Sequence, residues 1–329
     1  MEKLLCINNL QTDPYLNLAM EEFLVKNYAE NIFMLWQSQD CVVVGKHQNT
    51  IAEINFPFIE NHHIKVARRL SGGGTVYHDA GNLNFTFIIN GSEGKLVDFG
   101  KYTSQIVEFL NNLEVPARSN ARHDITINGF KISGNAEHIF KKRVLHHGTL
   151  LFNSDLERLN NSINPSSGKY IDKAVQSVRS KVCNIHPYLK KKLTISEFKE
   201  ALMEYFMQKS PFSLPYIICK EEMELIKKLR DEKYASWEWI FGYSPKYEIH
   251  SQINSHMGNL QIHLSIRKGI VSESNIHGNL IDSNLINKIN TELIGLKHKK
   301  DIILNLLKIK VQLSEKEGFS PEEFVNHLF

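Results

Sequence analysis

Apolar positions in "TDPYLNLAMEEFLVKNY" (residues 12–28) fall at Leu16, Ala19, Met20, Phe23 and Leu24. That spacing predicts an amphipathic helix. Thr12 or Asp13 is placed to cap it, and Pro14 suits its first turn. "NIFMLWQ" and "CVVVGKHQ" are short continuous apolar runs and predict buried strands. "KVARR" and "NFTFIIN" predict two more strands, joined by a glycine-rich loop. "TSQIVEFLNNL" predicts a helix, and "HDITINGFKISGNAEHIF" a hairpin turning at Asn128-Gly129. "VLHHGTLLFN" reads as a strand, and "TISEFKEALMEYFMQ" as a helix with a Thr or Ser cap. "MELIKKLRDEKYASWEWIFG" follows, until Gly242 and Pro245 break the pattern. We place a domain boundary there, giving a large domain over 1–244 and a small α+β domain over 245–329. The small domain holds short strands such as "LQIHLSIRKG" and a helix-rich tail.

Composition narrows the function. The 329 residues are 42% hydrophobic, enough for a sizeable core and more than one domain. A formal net charge of +3 is too mild for the basic face of a nucleic-acid coat protein, but suits an acidic ligand or partner. Cys6, Cys41, Cys183 and Cys219 form no CxxC pair, which reads as reduced thiols. The N-terminus lacks a basic region followed by an apolar core, and no apolar run is long enough to span a bilayer. The expectation is a cytoplasmic protein that binds neither membrane nor nucleic acid.

The densest chemistry lies in "RRLSGGGTVYHDAGNLNF", residues 68–85. Three glycines let backbone amides approach an anion with no Cβ in the way. Arg68 and Arg69 can add bonds to phosphate or carboxylate. The stretch is neither a Walker A loop nor GxGxxG. A flexible turn with solvated arginines is the plainer alternative, and the flanking apolar strands favour the anion cradle. His78-Asp79 reads either as a catalytic dyad or as a pair that orients the loop. Lys131 follows the hairpin turn and points away from its apolar neighbours Phe130 and Ile132. Asp124, one strand earlier, is placed to approach it across the hairpin.

Five blocks occur in order: "ARRLSGGGTVYHDAGNLNFTF", "RHDITINGFKISGNA", "HHGTLLFNSDL", "SVRSKVCNI" and "ASWEWIFG", with "NLAMEE" ahead of them. Together they resemble lipoate–protein ligases of the A type, from about Asn17 to Gly242. The rest resembles their C-terminal accessory domain. The resemblance implies an α/β (α+β) fold like that of biotin/lipoate protein ligases, related to class II aminoacyl-tRNA synthetases. It implies activation of lipoate by ATP to lipoyl-AMP, then transfer to a carrier lysine. The expected carriers are lipoyl domains of 2-oxoacid dehydrogenase complexes and the glycine cleavage H protein.

Under the resemblance, Arg69, Gly74, Thr75, Val76 and Tyr77 match ATP-binding positions. Lys131 matches the catalytic lysine that contacts both lipoate and nucleotide phosphate, and Asp124 the acidic position ahead of it. Arg69, Gly72, Gly73, His78, His147 and Gly148 are expected around lipoate. Mg²⁺ is expected on the phosphates, with Asp124 as a ligand, and the protein is expected to be a monomer. Asn135 departs from the serine common in relatives. A neighbouring reading is a lipoyltransferase that takes preformed lipoyl-AMP or an acyl donor protein. In that reading Cys183 is the cysteine to examine as a nucleophile. A biotin ligase and a non-catalytic carrier are further alternatives. The wording of the glycine block and the presence of Lys131 speak against them.

Overall fold

A computed structural model describes residues 3–91, 97–163, 168–313 and 320–329. They form two compact units. The first comprises 1–46, 63–163 and 177–236, and the second 47–62, 164–176 and 237–329. The chain therefore enters the second unit twice before Trp237. The hydrophobic pattern gave no sign of those two visits.

The first unit is built on a six-stranded mixed sheet. Its order is Asn135–Phe140, Arg143–Leu151, Asn82–Asn90, Asn31–Trp36, Leu4–Asn8 and Ser213–Pro215. The first four strands are antiparallel neighbours, and the last two pair in parallel. Helices Phe99–Asn112 and Ile195–Lys209 bury Ile106, Phe109, Leu202 and Phe206 in one core with Phe33, Phe85 and Phe87 from the strands. Phe33 and Phe206 meet at 4.1 Å between ring centroids. Thr194 and Glu197 close a reciprocal capping box at the start of the second helix.

Helix Pro14–Asn27 begins as its sequence predicts. Asp13 accepts a bond from the Tyr15 amide, and Pro14 occupies the first turn. It packs against strands Asn82–Asn90, Arg143–Leu151 and Lys65–Arg68. Almost all of it is buried, so Glu21 and Glu22 lie inside the protein with its apolar face.

Two three-stranded sheets carry the chemistry-bearing segments. One is ordered Lys65–Arg68, Cys41–Val44, Val76–His78, so the glycine loop joins its two outer strands. The other is Ala117–Ser119, Ile125–Ile127, Phe130–Ser133. Its turn falls at Asn128 and Gly129, with φ of 50° and 83°, the paired left-handed conformation of a tight hairpin.

The second unit is a four-stranded antiparallel sheet, Tyr170–Asp172, Tyr247–Ser255, Gly258–Arg267 and Ile270–Gly278. Ile249, Ile262 and Leu264 share its core with Ile289, Leu293, Ile303 and Phe324 from the helices.

Candidate active site

Strand Lys65–Arg68 delivers two arginines to the glycine loop, and both are turned inward. Arg68 is fully buried, and its Nη1 donates to the carbonyls of Gly45 (3.0 Å) and Lys46 (2.9 Å). This corrects the expectation that Arg68 meets a ligand, because its guanidinium is sealed inside the scaffold. Arg69 donates from Nη1 to the Val43 carbonyl at 3.0 Å. From Nη2 it donates to the carbonyls of Gly72 (2.6 Å) and Gly74 (2.7 Å). Gathering these carbonyls around one cation fixes the course of the loop.

The glycines serve close approach. Gly73 sits at φ +84°, and its carbonyl oxygen would lie 2.1 Å from a Cβ on Gly45. Two glycines are therefore needed for the end of strand Cys41–Val44 and the loop to touch. The Thr75 amide donates to Ser177 Oγ at 2.8 Å, and Ser177 also covers the bare face of Gly74.

Behind the loop runs a buried polar chain. Arg69 Nε donates to Ser71 Oγ (3.0 Å), and Ser71 Oγ lies 2.6 Å from His147 Nε2. His147 Nδ1 is 3.0 Å from each Glu21 carboxylate oxygen. Thr86 Oγ1 donates to Glu21 at 2.6 Å and accepts from Trp36 Nε1 at 2.9 Å. Each buried polar group of this chain gains a partner, which offsets its desolvation. His147 thus stands beside the loop, joined to it through Ser71. Gly148 faces elsewhere: a Cβ there would come within 2.4 Å of Phe85 Cζ and of Asn135 Oδ1, so its missing side chain makes room for packing.

His78 differs from its neighbours. It is buried, its ring meets Trp36 edge to face at 5.7 Å between centroids, and neither ring nitrogen has a hydrogen-bond partner among the described residues. Burial, reinforced by Arg69 and His147, pushes its pKa down to about 3. It is a neutral imidazole, with one ring nitrogen a donor and the other an acceptor. Asp79 is used structurally, accepting from the Gly81 amide (2.9 Å) and the Asp155 amide (2.7 Å).

Lys131 approaches from the third sheet. Its Nζ lies 2.8 Å from Asp124 Oδ1, so the hairpin does join the two. Asp124 is set by a turn in which Asn120 Oδ1 accepts its amide at 3.0 Å. A Cβ at Gly134 would lie 3.2 Å from Lys131 Cε and Nζ and 3.9 Å from Val76 Cγ1. Gly134 therefore leaves room for the ammonium beside the segment that follows the glycines. Lys131 is also held through its backbone, donating to the Lys181 carbonyl (2.8 Å) and accepting from the Cys183 amide (3.1 Å). The segment from Ser177 to Cys183 thus touches both the glycine loop and the lysine strand.

Sequence reasoning missed Ser71, Glu21, Trp36, Thr86 and Ser177. For Glu21 a signal existed: two glutamates in a helix flanked by Ala19-Met20 and Leu24-Val25 have little solvent to face. Glu22 answers the same problem with Lys26, Lys233 and Tyr234, each 2.6 Å away. Burial pushes its carboxyl up, yet these bonds prevail and hold it low. Cys183 is half-buried, and burial raises its thiol pKa against a smaller opposing bond from Tyr188. That setting does not activate a nucleophile. Among the described residues no three His, Cys, Asp or Glu side chains group to hold a metal ion. No helix among them is long and apolar enough to cross a membrane.

Known proteins match the chain along most of its length. The lipoyl protein ligase A/B catalytic domain matches residues 13–207, and the bacterial lipoate protein ligase C-terminus matches 244–328. Lipoate–protein ligase 1 of Staphylococcus aureus is 38% identical, covering 88% of this chain and 89% of its own. The crystal structure of P. falciparum LipL1 with lipoate has a TM-score of 0.63 at 27% identity, covering 93% of this chain and 94% of that one. Lipoate-protein ligase A bound with ATP has a TM-score of 0.62 at 25% identity, covering 74% and 100%.

Proposed function

Because the chain belongs to the lipoyl protein ligase A/B family and is a lipoate–protein ligase, we propose that it works in two steps on one site. The lipoate carboxylate attacks the α-phosphorus of ATP, the bond to the β-phosphate oxygen breaks, and pyrophosphate leaves. A carrier lysine amine then attacks the acyl carbonyl of lipoyl-AMP. It loses a proton, and AMP departs. The carriers we propose are lipoyl domains of 2-oxoacid dehydrogenase complexes and the glycine cleavage H protein.

The observation that carries this reading is the position of Lys131. Its ammonium, steered by Asp124 at 2.8 Å, and Val76 of the glycine segment both border Gly134. Two anions must meet in the first step, and a cation between them offsets their repulsion and the charge growing on the transferring oxygens. Nucleotide phosphates would lie along Gly74, Thr75, Val76 and Tyr77, on the backbone that Arg69 shapes. Gly72, Gly73, His78 and His147 would border the lipoyl group, and His78 would gain the partner it lacks. Asp124 would orient Lys131 in the first step and the incoming amine in the second.

A magnesium ion would arrive on the phosphates, holding most of its waters, as this ion does beside one or two carboxylates. Asp124 fits such a role only through its second oxygen, since Oδ1 faces Lys131.

The test is lipoate-dependent exchange of label between pyrophosphate and ATP, with Lys131→Ala alongside. We expect exchange by the wild type and a loss of a hundredfold or more in the variant, about 3 kcal/mol. If the wild type does not exchange but modifies a carrier from added lipoyl-AMP, the adenylation step is wrong and the chain is a transferase.

A further inference from the structure

Strand pairing alone does not hold Asp124 against Lys131. The ladder between Ile125–Ile127 and Phe130–Ser133 ends at the pair Ile125 and Ser133, with a register shift between Ile125 and Thr126. Asp124 lies beyond that last pair, in a turn over 120–124. The bonds of the turn close on itself. The Arg122 and Asp124 amides donate to Asn120 Oδ1 at 2.8 and 3.0 Å, and the His123 amide donates to the Asn120 carbonyl at 3.0 Å. His123 is exposed and holds φ +60°, a left-handed conformation that costs a non-glycine residue free energy. Its ring stacks on Phe99 at 5.3 Å between centroids.

A side chain of the six-stranded sheet reaches this turn. Asn135 opens strand Asn135–Phe140, opposite Gly148. Its Nδ2 donates to the His123 carbonyl at 2.9 Å and to Ser133 Oγ at 3.3 Å. Its Oδ1 is buried without a hydrogen-bond partner among the described residues. That oxygen is a cost, so the donor is what the side chain contributes. A Cβ on Gly148 would lie 2.4 Å from the same oxygen, so Asn135 can lie as it does because residue 148 is glycine.

We propose that Asn135 is a positioning residue for the ligase reaction. By holding the His123 carbonyl it fixes the next residue, Asp124, whose Oδ1 lies 2.8 Å from Lys131 Nζ. The inference rests on the roles given above to Asp124 and Lys131. It extends them to a link from the large sheet to the reacting centre: Asn135 amide, His123 carbonyl, Asp124 carboxylate, Lys131 ammonium. The reach of the side chain matters. A serine at 135 would end at Oγ, one bond short of Nδ2, and an alanine would offer no donor. Without the bond the turn is held only by its own bonds and the Phe99 ring, and the carboxylate loses its fixed place. A small misplacement of a group that orients the reacting atoms is felt in the rate.

The experiment combines amide hydrogen exchange with a double-mutant cycle on the full chain. In Asn135→Ala, exchange at residues 122–124 should quicken while the rest of the six-stranded sheet keeps its protection. The kcat of lipoate-dependent pyrophosphate–ATP exchange should fall about tenfold or more, with KM for ATP and lipoate within about twofold of wild type. Asn135→Ser should lose as much as Asn135→Ala. In an Asp124→Ala background, Asn135→Ala should cost nothing further, because the group it positions is gone. Unchanged protection at 122–124, a serine variant at the wild-type rate, or losses that multiply across the cycle would each overturn the assignment. So would a normal kcat in Asn135→Ala beside an impaired Asp124→Ala, and that result leaves the role of Asp124 standing. If Asp124→Ala itself turns over at the wild-type rate, the role given to Asp124 fails, and the assignment of Asn135 to the reaction fails with it.

Discussion

Ser177 shows how one hydroxyl can report on a site. Its Oγ accepts the Thr75 amide at 2.8 Å, at the segment where we place nucleotide phosphates. Ser177→Ala leaves that amide without this acceptor. Amide hydrogen exchange at residues 74–76 should quicken, and the KM for ATP should fall about threefold to tenfold as the phosphate meets a freer donor. A KM that rises would mean instead that the hydroxyl contacts bound nucleotide. Glu21 acts at one remove. Glu21→Gln keeps its shape but loses the charge that faces His147 across two 3.0 Å contacts. Lipoate-dependent exchange should weaken in this variant with a raised KM for lipoate, whereas a merely structural glutamate would change only the denaturation midpoint. Cys183→Ala should leave transfer intact, since burial works against its thiolate.

At the scale of elements, Gly45, just past strand Cys41–Val44, and the loop carrying Gly73 are one device. A Cβ on Gly45 would sit 2.1 Å from the Gly73 carbonyl, and backbone cannot yield as a flexible side chain does. Gly45→Ala should destabilise the protein by about 1–3 kcal/mol and impair exchange together. A variant with wild-type midpoint and activity would refute the coupling. Thr194→Ala is the contrast: it removes a helix cap far along the chain, at a cost of about 1 kcal/mol in urea denaturation, with exchange unchanged. These two cases also show what the sequence makes legible. The Thr194 cap, the Asp13–Pro14 helix start and the Asn128-Gly129 turn are local, each written within a few residues, and the structure repeats them. The Asp124–Lys131 pair was legible because a hairpin relates them. Ser71, His147 and Glu21 were not read as one chain, because they come from a loop, a strand and a helix that only the tertiary fold joins. The inward turn of Arg68 was hidden for a related reason. An arginine between apolar strands looks like a ligand-binding charge until the carbonyls that surround it are known.

Across the whole molecule, each unit contains a buried histidine whose pKa is pushed down to about 3: His78 in the first and His298 in the second. The unfolded chain binds a proton at each near pH 6.5, and the folded chain does not until about pH 3. Between those values the unfolded state holds more protons, so stability rises with pH and is lost on acidification. Above pH 6.5 neither group contributes a slope. Within the window each contributes on the order of 1.4 kcal/mol per pH unit to the unit that contains it. Glu22, held low by its three partners, adds a loss below the ordinary carboxylate range, in a lower window and with the same direction. Urea denaturation at several pH values between 7 and 4.5 should therefore show falling stability. His78→Leu should flatten the fall for the first unit alone, because it removes the neutral ring without leaving a hydrogen-bond partner unpaired. The same variant should weaken lipoate-dependent exchange at pH 7.5, since the imidazole we assign to the ligand is gone. Greater acid resistance combined with lower activity is the signature of a buried polar group kept for binding at the expense of stability. If His78→Leu keeps the wild-type pH slope, the imidazole is protonated or solvated in the folded protein, and its place beside the lipoyl group must be given up.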